Sequence, residues 1–270
     1  MTSKVAIISG VRRIGFYIAQ HLLASGFHLA VLYRSSYQSV EELKKYASRF
    51  NKKVLPFKVD LSNPQTYRDI PSKVFETFNR IDALLNIASP FERKSVLETT
   101  EGDLEFYFRA VVESSFILSR ESFKYMSLNK GTVKGRIINF GDWAVHSNNP
   151  YPNFAPYLVA KGALRTLTQV LAVEFAPHVL VNEIALGPVL PPEYTSAEGK
   201  IKKPSTDWEE YVKRKTLLGR PVDLEDILSA VDFLLKAKTV SGEVLVLDSG
   251  QRFVGKGLAP SGLIPCIRTS

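Results

Sequence analysis

The chain has 270 residues, 45% apolar and 23% charged, ordinary proportions for a soluble globular protein. That length suits one α/β domain or two small ones around a sizeable core. The net charge of +8 reads as a solvated basic surface, part of which can serve a phosphate-rich ligand. Nucleic acid is the weakest reading, because the basic residues are scattered and no aromatic-plus-basic module appears. A single cysteine, Cys266, excludes an internal disulfide framework and fits a reducing compartment. His21, His28, His146 and His178 show no metal-ligand spacing, so no metal site is expected. The apolar run in "MTSKVAIISG" is too short for a bilayer and is followed by charge. A cytoplasmic protein that avoids membranes is expected.

In chain order, "KVAIIS" reads as a strand, and "IGFYIAQHLLASG" as a helix stopped by Gly26. "HLAVLY" is a second strand, "SVEELKKYASRF" an amphipathic helix and "KVLPFKVD" a third strand. "NPQTYRDIPSKVFETFNRI" reads as helix, "DALLNIA" as strand and "DLEFYFRAVVESSFILSRESFKYM" as one long helix. Then follow "GRIINF" (strand), "FAPYLVAKGALRTLTQVLAVEF" (helix), "VLVNEIA" (strand), "DLEDILSAVDFLLKA" (helix) and "EVLVLD" (strand). Seven strands alternating with helices predict a single doubly wound Rossmann domain of the α/β class, its parallel sheet covered on both faces. The domain is expected over residues 1–255, with a Pro-, Gly- and Lys-rich substrate loop at about 187–208 and a C-terminal tail at 256–270.

"ISGVRRIG" lies between the first strand and first helix, where a glycine-bearing turn and the unpaired N–H groups of a helix start can hold a pyrophosphate. The second strand ends in "LYRSS", and no acid appears before Glu41. A 2′-hydroxyl would call for an acid there, whereas Arg34, Ser35 and Ser36 suit a 2′-phosphate, so the cofactor is expected to be NADP(H). Asp60 in "VDLS" is placed either to accept from an adenine amino group or to cap a helix.

Tyr157 and Lys161 are four apart, on one face of a helix. An ammonium near a phenol is expected to lower its pKa from about 10. Fifteen residues before Tyr157, "NFGDWA" places Asp142 where a reductase of this layout usually has a serine. An ionised carboxylate only accepts hydrogen bonds, so it suits a heterocycle bearing N–H donors better than a ketone oxygen. A plain loop cap is the alternative for Asp142.

The segments "SGVRRIG", "VDLS", "LLNIAS", "GRIINFGD", "YLVAKGAL", "VNEIALGPV" and "SGEVLVLDSG" together resemble the short-chain dehydrogenase/reductase family over essentially residues 4 to 255. Within it, Arg-Arg-Ile-Gly in the phosphate loop, "LYRSSY", "NIASPF", the Asp of "NFGDWA" and "EFAPHVLVNEIA" look most like pteridine and dihydromonapterin (dihydrofolate) reductases. The resemblance implies a pterin or folate substrate. It implies cofactor contacts from Ser9, Gly10, Arg12, Arg13 and Ile14 in the first turn, and from Arg34, Ser35 and Ser36 after the second strand. It further implies contacts from Asp60 and Leu61, from Asn86 and Ala88, and from Gly187 and Val189. Arg13 would also touch the pterin, Ser89 would bond its edge and Phe91 would stack on it, opposite the nicotinamide. Tyr157 would donate a proton to a ring nitrogen, Lys161 would support it, and Asp142 would feed protons or hold a water. A homotetramer is implied, with helices 101–126 and 154–177 against one partner and "EVLVLD" near a second interface.

Four positions depart from the family pattern. Ser9 stands for the first loop glycine, and Leu186 for a proline before Gly187. Glu113 is aligned with an Asn that assists a proton-relay water, and is placed to pair with Lys161 or to relay protons itself. The interval from Asp142 to Tyr157 is two residues longer than usual, so "HSNNPYPNF" is expected to bulge near the pocket. The leading expectation is an NADPH-dependent reductase of a dihydropterin or dihydrofolate. The alternatives are a general carbonyl reductase acting on 3-oxoacyl thioesters or sugars, and a non-catalytic dinucleotide-binding protein.

Overall fold

The computed structural model describes residues 3–147, 150–191, 194–195, 201–202 and 207–254. The tail at 256–270 and much of the substrate loop therefore lie outside the described residues. Seven strands form one all-parallel sheet: β1 (Val5–Ser9), β2 (His28–Tyr33), β3 (Val54–Lys58), β4 (Ala83–Asn86), β5 (Gly135–Asp142), β6 (Val179–Leu186) and β9 (Val244–Leu247). Among the described residues, two short strands, β7 (Tyr194–Thr195) and β8 (Ile201–Lys202), pair antiparallel with each other. The order β3-β2-β1-β4-β5-β6-β9 reverses direction between β1 and β4. In open α/β sheets a ligand crevice forms outside the strand ends at such a reversal.

Continuous apolar runs make these strands, since both sheet faces are covered. Ala6 and Ile8 of β1 face α1 (Ile14–Ala24), α2 (Tyr37–Ser48) and α8 (Leu224–Lys236), whereas Val5 and Ile7 face α3 (Ile70–Phe78), α5 (Ser114–Met126) and α6 (Ala155–Glu174). Pro56 sits in β3, at the sheet edge, where a missing N–H is tolerated.

Three elements differ from the sequence reading. The helix expected from Asn63 onward is a 3₁₀ turn, Pro64–Thr66, and then α3, because Pro71 is compatible only with a first helical turn. The single long helix is α4 (Glu101–Tyr107), a π-helical stretch Phe108–Glu113, and α5. A further helix, α7 (Trp208–Lys215), follows the substrate loop. Its signals are the Asp207 cap on Glu209, acids in its first turn and bases in its last. Among the described residues, no helix is long and apolar enough to cross a membrane.

Candidate active site

At the β1 and β4 ends the backbone comes too close for side chains. Gly10 has φ +82°, and a Cβ there would lie 2.9 Å from the Ala88 Cβ. One on Gly15 would lie 2.0 Å from the Gly10 carbonyl oxygen. Arg13, at φ 53°, precedes α1, whose first turn has no side-chain cap. The positive end of a helix dipole beside a glycine turn forms a cradle for a phosphate group. Arg12 is exposed beside it, and Arg13 donates to the Leu190 carbonyl at 3.2 Å. Ile14 opens the helix, and Ser9 lies beneath the turn, 1% exposed, its hydroxyl accepting from Ile87 N at 3.1 Å. Arg34 and Ser35 are exposed at the end of β2, with Ser36 just before α2. Asp60 forms a local cap, accepting from the Ser62 N–H at 2.9 Å and hydroxyl at 2.7 Å. These bonds lower its pKa, with Arg34 adding to the effect. Leu61 packs partly buried against the core. Ser89 donates to the Pro90 carbonyl, and Gly187 donates to Leu247 O with Val189 buried just beyond.

Asn86 is buried and gives its amide to Asn139 Oδ1 at 2.8 Å; Asn139 in turn donates to Thr168 Oγ1 at 2.8 Å. This chain ties β4 and β5 to α6, the helix that carries Tyr157 and Lys161. Its two side-chain hydrogen bonds fix one helix position against the sheet, while Asn86 Oδ1 is buried with no partner among the described residues.

At the end of β5, Asp142 Oδ2 accepts from Tyr157 at 3.0 Å and from Tyr151 at 2.8 Å, while Oδ1 accepts from Ala144 N at 2.9 Å. Asp142 is thus both the loop cap and the partner of Tyr157. Lys161 donates to the Phe140 carbonyl at 2.6 Å and lies 5.7 Å from the Tyr157 ring centre. Phe91 stacks on Phe154 at 4.6 Å and meets Tyr157 edge-on at 4.9 Å. Tyr151 leans on Trp143 at 5.9 Å and Phe154 at 5.3 Å. A buried carboxylate with two phenols is thus rimmed by aromatic faces.

Residues 10–252 match the family model described as enoyl-(acyl carrier protein) reductase. The chain belongs to the short-chain dehydrogenase/reductase family. L-2,3-butanediol dehydrogenase of Corynebacterium glutamicum is 31% identical, the match spanning 93% of this chain and 99% of that protein. L-rhamnose 1-dehydrogenase (NADP(+)) of Thermoplasma acidophilum is 27% identical over 92% and 95%. Among solved structures, FolM alternative dihydrofolate reductase 1 of Brucella canis, complexed with NADP, is 25% identical, covers 93% of this chain and 95% of its own, and superposes with a TM-score of 0.80.

Two expectations for this short-chain dehydrogenase/reductase are corrected. Tyr157 was expected to have its pKa lowered by Lys161. Instead burial, and then the Asp142 charge, push it well above 10. The ammonium is turned to the Phe140 carbonyl and does not offset them. Burial also raises Asp142 and brings Lys161 down to about 8, against the pull of Asp142 and Glu183.

Glu113 does not reach Lys161. It lines an outer groove with Phe108, Phe116 and Leu167, and the π stretch turns Val111 inward, 1% exposed, into the cluster with Tyr157, Ala160 and Leu164. An aliphatic side chain therefore closes that flank of the site.

Sequence reasoning left out Tyr151, Asn139 and the His146–Glu183 pair, whose Nε2 and Oε1 stand 2.8 Å apart. The extra spacing before Tyr157 was the signal for Tyr151. Glu183, charged in the middle of an apolar strand, was the signal for the pair.

Proposed function

We propose that this oxidoreductase reduces a dihydropterin or dihydrofolate with NADPH. The observation that carries the reading is the Asp142 carboxylate bonded to Tyr157 beneath Phe91 and Phe154. A pterin edge presents N–H groups that a carboxylate can accept, whereas a carboxylate held this way repels a ketone oxygen. The FolM likeness supports the same substrate class. The backbone around Gly10 and Gly15 would hold the pyrophosphate, with Arg12 and Arg13 beside it, and Arg34, Ser35 and Ser36 would hold a 2′-phosphate. NADPH, when bound, supplies the hydride. Tyr157 supplies the proton to the ring nitrogen, Lys161 provides the positive charge next to it, and the rings of Phe91 and Phe154 form an apolar wall for a flat heterocycle.

Assembly as a homotetramer belongs to the same proposal. Leu104, Phe108 and Phe116 on α4 to α5, and Val170 and Val173 on α6, are exposed apolar side chains on the helices assigned to the first interface.

The test is NADPH consumption with dihydrobiopterin, dihydromonapterin, dihydrofolate and an acetoacetyl thioester. One of the first three should be preferred, and Asp142→Asn should lower its turnover about tenfold or more while NADPH binding stays nearly unchanged. Preference for the thioester, or wild-type turnover in the variant, overturns the assignment.

The lysine makes a pH prediction. With a pKa of about 8, Lys161 is charged below that pH and neutral above it. The value of kcat/KM should therefore fall as pH rises through about 8. Lys161→Arg, whose guanidinium stays charged, should be slower but lack that alkaline limb. An identical limb in both proteins would assign it to another group.

A further inference from the structure

Proton transfer from Tyr157 leaves a phenolate that must be re-protonated before the next turnover. Its surroundings restrict where that proton can come from. Tyr157 is 7% exposed, Asp142 6% and Lys161 3%. The lysine ammonium is turned to a backbone carbonyl, and Val111, Tyr107 and Leu164, all buried, pack the same flank. Tyr151 is different. It bonds the same carboxylate oxygen as Tyr157, yet its side chain is only half-buried. Among the described residues hydrogen-bonded in this group, it is the one that is not fully buried.

We propose that Tyr151 is the solvent-side end of a proton path, Tyr151 to Asp142 to Tyr157, that restores the donor between turnovers. This rests on the reading above in which Tyr157 is the proton donor. The step balances as follows. The Tyr151 O–H bond breaks and its proton goes to Asp142 Oδ2. The same oxygen, 3.0 Å from the Tyr157 oxygen, passes a proton to the phenolate. Asp142 is again a carboxylate, Tyr157 again a phenol, and Tyr151, now a phenolate, takes a proton from water. No oxidant or reductant takes part.

The geometry is held in place before reaction. Tyr151 is wedged between Trp143 and Phe154, and the segment carrying it is pinned where Lys94 N donates to Asn153 O at 2.7 Å. The acid-base balance is consistent with this route. Burial and the Asp142 charge raise both phenols, so exchange between them runs between groups shifted the same way. Burial also raises Asp142, which lowers the cost of its holding a proton briefly. Tyr151 does not touch the reacting atoms; it is a positioning residue that acts through Asp142.

The experiment compares a first turnover with the steady state in the wild type and in Tyr151→Phe, which keeps the ring. With enzyme and NADPH in excess over dihydropterin, the proton used is already on Tyr157. The first-turnover rate should therefore be about the same in both proteins, while steady-state kcat of the variant falls about tenfold or more, with a larger solvent deuterium effect. Millimolar imidazole should restore part of kcat in Tyr151→Phe and none in Tyr157→Phe. NADPH affinity, read by fluorescence titration, should be unchanged. Equal losses in first turnover and steady state, or no loss in either, would overturn the path. A wild-type enzyme that reduces a ketone and no dihydropterin sinks the substrate reading alone, and the same comparison with that ketone then decides Tyr151. Consumption of NADPH with neither class overturns both.

Discussion

Tyr157→Phe is expected to reduce turnover of the preferred dihydropterin by about 10²–10⁴-fold, the usual contribution of a positioned general acid. The change removes one hydroxyl and little else. The ring stays edge-on to Phe91 at 4.9 Å, and Asp142 keeps its bonds from Tyr151 and Ala144. Lys161 also keeps its own anchor, because its ammonium bonds the Phe140 carbonyl rather than the phenol. NADPH titration should therefore match the wild type, unfolding free energy should fall by no more than the about 1–3 kcal/mol of one lost buried hydrogen bond, and kcat should carry the loss of activity. A loss confined to KM would make the hydroxyl a binding contact instead of a donor. Tyr151 cannot substitute, since it reaches the pocket only through the carboxylate. This separates Tyr157 from Asp142, whose replacement leaves the donor present and only its surroundings altered.

The doubly wound sheet and the place of the phosphate turn were legible because they depend on periodicity and on glycines with steric reasons. Buried strands such as "VAIIS" have one reading in a chain of this alternation, and Gly10 and Gly15 stand where backbone meets backbone. Tyr157 and Lys161 were legible for the same reason, being a turn apart on a helix. The misreadings came from features that depend on contacts distant in sequence. Nothing in "FRAVVE" announces a π turn, because the extra residue is accommodated by packing against α6. Alignment with the family's Asn put Glu113 at the inner position, which the structure gives to Val111. The sign of the Tyr157 shift was also out of reach. Spacing places an ammonium near the phenol, but it does not show that the ammonium bonds a carbonyl or that the phenol is buried against a carboxylate. Asp142 was read as either a cap or a partner of the tyrosine, and the two carboxylate oxygens allow both.

Gly141→Ala is expected to be strongly destabilising for a single-methyl change. A Cβ at this position would lie 1.7 Å from Glu183 Oε1, so the carboxylate occupies the space the methyl needs. Glu183 has no room to retreat. It is 0% exposed in the middle of β6, and Oε1 is fixed 2.8 Å from His146 Nε2. Its other oxygen is buried with no hydrogen-bond partner among the described residues, so any rearrangement starts from a group already short of partners. Overpacking costs about 1–3 kcal/mol, and disturbing a buried polar contact adds about 1–3 kcal/mol. A loss of several kcal/mol of unfolding free energy should follow. Gly141 lies between Phe140, which anchors Lys161, and Asp142, so activity should fall with stability. The decisive measurement is a double-mutant cycle with Glu183→Ala. That change alone leaves His146 without its partner and opens a void, but it also vacates the space the new methyl needs. The double variant should therefore be more stable than the sum of the two losses by about 1 kcal/mol or more, in the range found for residues in contact. Strict additivity in denaturant titrations would mean that Glu183 does not lie over Gly141, and the stated reason for a glycine at this point of the strand would be wrong.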